Sequence, residues 1–232
     1  MFPYMVALHF KNKFVCGGTL LSNNTVLTSA HCVVFNGIPE SPEDFFGAVG
    51  SVNRSSSNHI RFKKIIVHPD YDNLDHDVAL LKINGEIPEQ EKIQPICLAG
   101  EEFPNIIRKK VTSMGWGASG GNRTSMEILQ YTEQRVVPKT QCALSSWTIN
   151  SHTLCAHGHG TGGICKGDSG GPLVYNATGE PVQVGLASYV NSLMPCGSFF
   201  GPAVFSRISK YTDFIRSASE DQAICYRSDR AV

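Results

Sequence analysis

The reading of this chain turns on Gly167-Asp168-Ser169-Gly170-Gly171-Pro172. Glycines flank one serine closely, so the backbone can bend there and turn the neighbouring amides toward the serine oxygen. Alone, the stretch is an ordinary loop, and two further islands give it meaning. Thr28-Ser29-Ala30-His31-Cys32 is a strand ending in a turn of small residues that presents a histidine. Asp75-His76-Asp77-Val78-Ala79-Leu80-Leu81 sets an aspartate at the mouth of an apolar strand. Taken singly, the histidine reads as a solvated side chain and the aspartate as a turn former.

Together the islands supply a complete reaction. A serine hydroxyl is a poor nucleophile near neutral pH and needs an adjacent base. Imidazole has a suitable proton affinity, provided a buried carboxylate holds it in one tautomer. The oxyanion formed when a serine adds to a carbonyl needs preorganised donors, and two backbone amides can supply them.

Around the islands, strand signals dominate. Short β-branched or alternating runs bounded by Gly, Pro, Asn or Ser occupy Met5–His9, Thr25–Thr28, Ile60–Val67, Val78–Ile83, Val111–Gly115, Leu129–Val137, Pro181–Val190 and Pro202–Ile208. This spacing points to a sandwich or barrel rather than to alternating β and α units. Helix signals are confined to Pro138–Leu144 and to about Lys210–Ala218. In the second, Ser209 can cap, and Tyr211, Phe214, Ile215 and Ala218 share a face. Glu86–Asn105 contains three prolines and reads as a connector between two β halves, and Gly115–Asn122 reads as an exposed loop.

The chain has 232 residues, 41% of them hydrophobic, enough for a sizeable core in one all-β unit or two small lobes. With 20 basic and 20 acidic residues the net charge is zero, so the basic footprint of a nucleic-acid binder is missing. No apolar run approaches the roughly 18 residues that span a bilayer. Neither nucleic acid nor membrane is expected as a partner.

Eight cysteines, at 16, 32, 97, 142, 155, 165, 196 and 225, form an even, dispersed set without a Cys-x-x-Cys pair, which points to disulfides and an oxidising compartment. Asn23, Asn53, Asn122 and Asn176 open Asn-x-Ser/Thr glycosylation sites. A secreted, extracellular glycoprotein is the expectation. Met1–Phe10 lacks the features of a signal peptide and reads as a strand, so the sequence is expected to have lost its beginning or to use an alternative start. Cys155-Ala156-His157-Gly158-His159 has spacing that could hold a metal, but it reads as a Gly-flanked loop whose cysteine is engaged in a disulfide. No metal and no cofactor are expected.

In their His, Asp, Ser order the islands resemble the trypsin/chymotrypsin family of serine proteases, a likeness running from about Phe2 to Ile215. Cys16-Gly17-Gly18, Gly115-Trp116-Gly117 and the closing Tyr211 helix add to it. The resemblance implies an all-β fold of two six-stranded antiparallel β-barrels with a C-terminal helix. The single peptidase domain, 1–232, would divide into a first barrel and connector (about 1–100), a second barrel (about 106–208), the helix (209–219) and a tail (220–232). It also implies His31 as general base, Asp77 as orienting acid and Ser169 as nucleophile, with the N–H groups of Gly167 and Ser169 as oxyanion hole. Ser188 would stand behind Asp77 as a donor. The family's disulfides map onto Cys16–Cys32, Cys142–Cys155 and Cys165–Cys196. Cys97 and Cys225 remain; because the closing helix of this fold packs near the connector, they are expected to pair. Val111 and Tyr175 stand where many relatives have another disulfide, and Asn53–Asn58 lacks the acidic residues of the family's calcium site, so no calcium is expected.

In this family the residue six positions before the nucleophile forms the floor of the substrate pocket. Here it is Gly163, where trypsin-like relatives carry an aspartate; a buried substrate cation would have no partner. Ile164 fills depth, Val190 replaces an entrance glycine, and Ala203 and Phe205 complete an apolar wall with Ser188 at its edge. The pocket resembles that of elastases, with a deeper chymotrypsin-like pocket as the alternative because Asn191–Gly201 aligns softly. Expected partners are protein or peptide substrates and protein protease inhibitors, with the enzyme a monomer. Relatives are activated when a freed N-terminal ammonium pairs with the carboxylate beside the nucleophile, here Asp168. The chain as written is therefore expected to be zymogen-like, with Asp168 turned elsewhere. The alternative is a catalytically silent homologue serving as a binding or regulatory module.

Overall fold

In the computed structural model, residues 2–87, 92–118, 124–142, 149–158, 162–177, 179–190, 196 and 202–228 are described. Six strands, β1 (Met5–Phe10), β2 (Lys13–Ser22), β3 (Thr25–Thr28), β4 (Phe45–Val49), β5 (Asn58–Val67) and β6 (Ala79–Asn84), close into a barrel in the order β1-β2-β3-β6-β5-β4. The second barrel comprises β7 (Lys110–Gly115), β8 (Gln130–Val137), β9 (Thr153–Gly158), β10 (Pro172–Tyr175), β11 (Val182–Tyr189) and β12 (Ala203–Arg207), ordered β10-β7-β8-β9-β12-β11 and closed by β10 against β11. All these pairings are antiparallel. Two short strands, Cys97–Ala99 and Tyr226–Arg227, extend the second sheet in parallel.

Each barrel has its own apolar filling. Leu8, Leu20, Phe45, Phe62 and Leu81 pack inside the first, and Val136, Leu154, Leu173, Val184 and Phe205 inside the second. A third cluster joins them: Leu21, Leu27 and Leu80 meet Met114, Trp116 and Leu186, with Tyr211 and Ile215 covering one end. At roughly 1.5–3 kcal/mol for each large side chain buried, this seam is a substantial part of the fold's stability. Thr19 Oγ1 donates to Gln183 Oε1 across it at 2.8 Å.

Helix α1 (Lys139–Cys142) is a single turn, and α2 (Thr212–Ser219) follows a 3₁₀ turn at Ile208–Lys210. The expected apolar face of α2 is present: Tyr211 and Ile215 are buried, with Phe214 and Ala218 packed beside them. Its start differs from expectation. Ser209 lies inside the 3₁₀ turn, and Tyr211 occupies the N-cap position without a side-chain cap bond. Packing of the Tyr211 ring on the seam, not capping chemistry, fixes where the helix begins.

The four disulfides are Cys16–Cys32, Cys97–Cys225, Cys142–Cys155 and Cys165–Cys196, with Cα separations of 6.1, 4.6, 6.1 and 5.3 Å. Val111 is buried in the second barrel, and Tyr175 stacks edge-on against Phe103. The loop around Asn53–Asn58 is knitted across the seam rather than simply solvated: Arg54 pairs with Glu127 at 2.7 Å, and Asn53 bridges Ile128. Asn53 Oδ1 accepts from the Ser55 amide; Asn23 and Asn176 lie exposed, and Asn122 falls outside the described residues.

Candidate active site

Strand register brings the first two islands together. β3 and β6 run antiparallel with Thr28 opposite Ala79, so His31, three residues beyond Thr28, emerges at the end where Asp77 enters. A 3₁₀ turn at Ala30–Cys32 carries the histidine, and the Cys16–Cys32 disulfide pins it. His31 Nδ1 lies 2.8 Å from Asp77 Oδ2, and the His31 amide donates to Asp77 Oδ1 at 2.9 Å. Asp77 is fully buried. Ser188 Oγ also donates to Asp77 Oδ2, and Ser206 Oγ to the Asp77 carbonyl at 3.1 Å. A buried carboxylate so engaged fixes the ring with Nδ1–H toward the acid and leaves Nε2 as the proton acceptor.

The serine arrives from the second barrel. Pro172 pairs with Leu186, which sets Ser169 and Ser188 at the same end of β10 and β11. The two barrels touch here through backbone. Gly17 N–H donates to the Ser169 carbonyl at 2.8 Å, and the Ala187 carbonyl accepts from both Gly170 N–H (2.7 Å) and Ser29 Oγ (2.8 Å). One carbonyl thus ties the serine turn to the histidine turn. Ser169 Oγ faces the Ser188 carbonyl at 3.5 Å, and no hydrogen bond joins it to His31 Nε2. Gly167 and Gly170 have φ of 96° and 76°, which only glycine adopts without strain. The N–H groups of Gly167 and Ser169 have no hydrogen-bond partner among the described residues, so both are available as donors to an oxyanion.

Asp168 points inward, beneath the serine. Its Oδ1 accepts from Gly117 N–H at 2.8 Å and its Oδ2 from Cys165 N–H at 2.9 Å. Burial pushes its carboxyl up to about 6, against the pull of those two amides. No cation pairs with it among the described residues. The expectation that a cationless Asp168 turns away is not met, because the two amides hold it in place.

Beside the serine turn, Ile164, Ala203 and Phe205 are buried in one cluster with half-buried Val190 against it, and Gly163 is half-buried. Phe205 is wholly enclosed among barrel side chains. Residues 191–195 and 197–201 lie outside the described residues. In the segment considered for metal binding, Cys155 is bonded to Cys142 and His157 Nδ1 contacts the Gly158 carbonyl, while His159 lies outside the described residues. Ser29 and Gly17 lie within the quoted motifs, but their bracing of the site, like that of Ser206, has no signal in the sequence. Their partners lie 158, 152 and 129 positions away, and only the closed barrels bring them together.

Paired six-stranded barrels with histidine and aspartate from one, serine from the other and two free amides beside it define the two-barrel serine protease class. The family model described as Trypsin matches residues 1–215, and the chain belongs to that family. It is 31% identical to the clotting factor G beta subunit of Tachypleus tridentatus, over 96% of this chain and 77% of that protein. It is 33% identical to serine protease SP24D of Anopheles gambiae, over 93% of this chain and 76% of the relative.

Proposed function

We propose that this chain is a serine endopeptidase that hydrolyses peptide bonds through an acyl-enzyme. Ser169 is the nucleophile, His31 the general base, Asp77 the orienting acid, and the amides of Gly167 and Ser169 the oxyanion hole. The observation that carries the reading is the His31 Nδ1–Asp77 Oδ2 contact of 2.8 Å on a fully buried carboxylate, tied to the serine turn through Ser188. In the resting geometry the hydroxyl is turned to Ser188, and in such sites the nucleophile–base bond often tightens only with substrate. His31 takes the serine proton as Oγ attacks the carbonyl, then returns it to the leaving amine; water repeats the cycle on the acyl-enzyme. Bound protein inhibitors, secretion into an oxidising compartment and glycosylation at Asn23, Asn53, Asn122 or Asn176 accompany this reading. Four disulfides support the compartment, and no helix among the described residues is long and apolar enough to cross a membrane.

The pocket reading favours small or medium aliphatic residues before the cut. Gly163 offers no carboxylate to a buried substrate cation, and Ile164, Val190 and Ala203 supply apolar bulk. A panel of peptides assayed on processed protein tests function and preference together. Peptides with Val, Ala or Ile should exceed those with Arg or Lys by at least about a hundredfold in kcat/KM. Best turnover on Arg peptides would overturn the pocket assignment.

A second reading concerns activation, and one observation supports it: the buried Asp168 carboxylate is held inward on two amides, where it can accept a cation. We assign Asp168 as the acceptor for a freed N-terminal ammonium. Placing the chain behind a cleavable prosegment, so that processing frees Ile-Val-Gly-Gly plus a family-like linker, should raise turnover by about a hundredfold or more. Equal activity before and after processing would remove that role from Asp168.

A further inference from the structure

The turn that delivers Asp77 carries a second cluster, unused by the chemistry above. Asp75, His76 and His152 each offer one ligand atom, and the three atoms lie within 4.8 Å of one another. Asp75 and His76 precede β6 of the first barrel, and His152 directly precedes β9 of the second, so the cluster bridges the seam. We propose that Asp75, His76 and His152 form a binding site for a divalent transition-metal ion of the zinc class. Two imidazoles and a carboxylate are a donor set that suits zinc, with a water completing four-coordination. Ligand atoms about 2.1 Å from one tetrahedral ion stand about 3.4 Å apart. The cluster therefore has to contract by little more than an ångström, and all three residues are only half-buried, so side-chain rotation can supply that.

Three further observations point to a ligand. His76 Nδ1 is buried without a hydrogen-bond partner among the described residues, a costly state that a metal bond to this nitrogen would relieve. Asn150 orients ligands from both barrels at once: its Nδ2 donates to Asp75 Oδ1 at 2.8 Å, and its Oδ1 accepts from the His152 amide at 2.9 Å. Supporting partners of this kind hold metal ligands in place. Asp75 Oδ2 makes no hydrogen bond among the described residues and is left to bind. The other close group among the described residues, Cys16, His31 and Cys32, is unsuited because its sulfurs are joined in a disulfide. Since Asp77 follows His76 directly, a bound ion would restrain the turn behind His31. Binding itself does not depend on the peptidase reading.

Calorimetric titration of the intact chain with Zn²⁺, and visible absorption of the same chain with Co²⁺, test the site. One ion per chain and tetrahedral Co²⁺ bands are expected. Asn150→Ala should weaken Zn²⁺ binding by about 10–100-fold, and His76→Ala or His152→Ala by at least as much. His152→Gln, which keeps most of the bulk, should show the same loss, so a folding defect in the alanine variant cannot mimic it. His31→Ala and His59→Ala should bind as the parent does. Absence of binding, binding that survives both His76→Ala and His152→Gln, or binding lost with His31→Ala would overturn the proposal.

Discussion

Asp168 occupies a space that only glycines leave open: a Cβ on Gly115 or Gly117 would run into its carboxylate. The carboxyl lies at about 6 in the folded chain against 3.8 in an open one, so the fold holds that proton more tightly than the unfolded chain does. Its contribution to stability is therefore complete below pH 3.8 and is lost as pH rises through about 6. The loss amounts to about 3 kcal/mol at about 1.4 kcal/mol for each pKa unit, large beside a domain's net stability of about 5–15 kcal/mol. Urea midpoints of the chain should fall between pH 4 and 7.5 more steeply than those of Asp168→Asn, and parallel slopes would contradict the argument. An ammonium paired with Asp168 reverses the sign, so processed protein should lose this component of the fall. Residues such as Asp168, Ser169 and His31 were legible in the sequence because their neighbours are so constrained. Ser206 was not, because a serine in a strand carries no local mark of a partner 129 positions away.

At the scale of elements, the site is an abutment of β2 on the serine turn ahead of β10. Gly170 is where they meet most closely: its φ is 76°, and a Cβ there would collide with Thr28 Oγ1 and the Gly17 carbonyl. Gly170→Ala should cost about 2–5 kcal/mol, combining left-handed strain with overpacking, and should lower the thermal midpoint accordingly. A variant as stable as the parent would show that the turn has room to shift. The same close approach explains why β2 was hard to see from sequence. Its Gly17-Gly18 pair looks like punctuation, yet these glycines let the serine turn, β1 and β3 come near. β10 was hidden by its length of four residues and its opening proline. Strands with β-branched alternation, such as β5 and β11, were visible within a residue or two because barrel-lining positions repeat every second residue.

Across the whole molecule, two barrels must stay in register for side chains from each to meet. The apolar seam does most of this, and Cys97–Cys225 fastens the segment after α2 to the connector over a sequence separation of 128. In the chain-entropy account a loop of that size contributes about 5 kcal/mol. Cys97→Ser with Cys225→Ser should lower stability by about 2–5 kcal/mol in denaturant titration while leaving the His31–Asp77 geometry intact. An unchanged denaturation midpoint would mean the seam alone holds the segment. The two-barrel plan was open to reading because three islands in fixed order matched a known family. The Asp75–His76–His152 cluster was not, since it exists only where the barrels face each other. The central claim is that Ser169 is an activated nucleophile, and fluorophosphonate labelling of the processed protein, mapped by peptide mass spectrometry, tests it most directly. A single adduct on Ser169 is predicted, absent from Ser169→Ala and slowed by several orders of magnitude in His31→Ala; no adduct, or one that persists in Ser169→Ala, would contradict it.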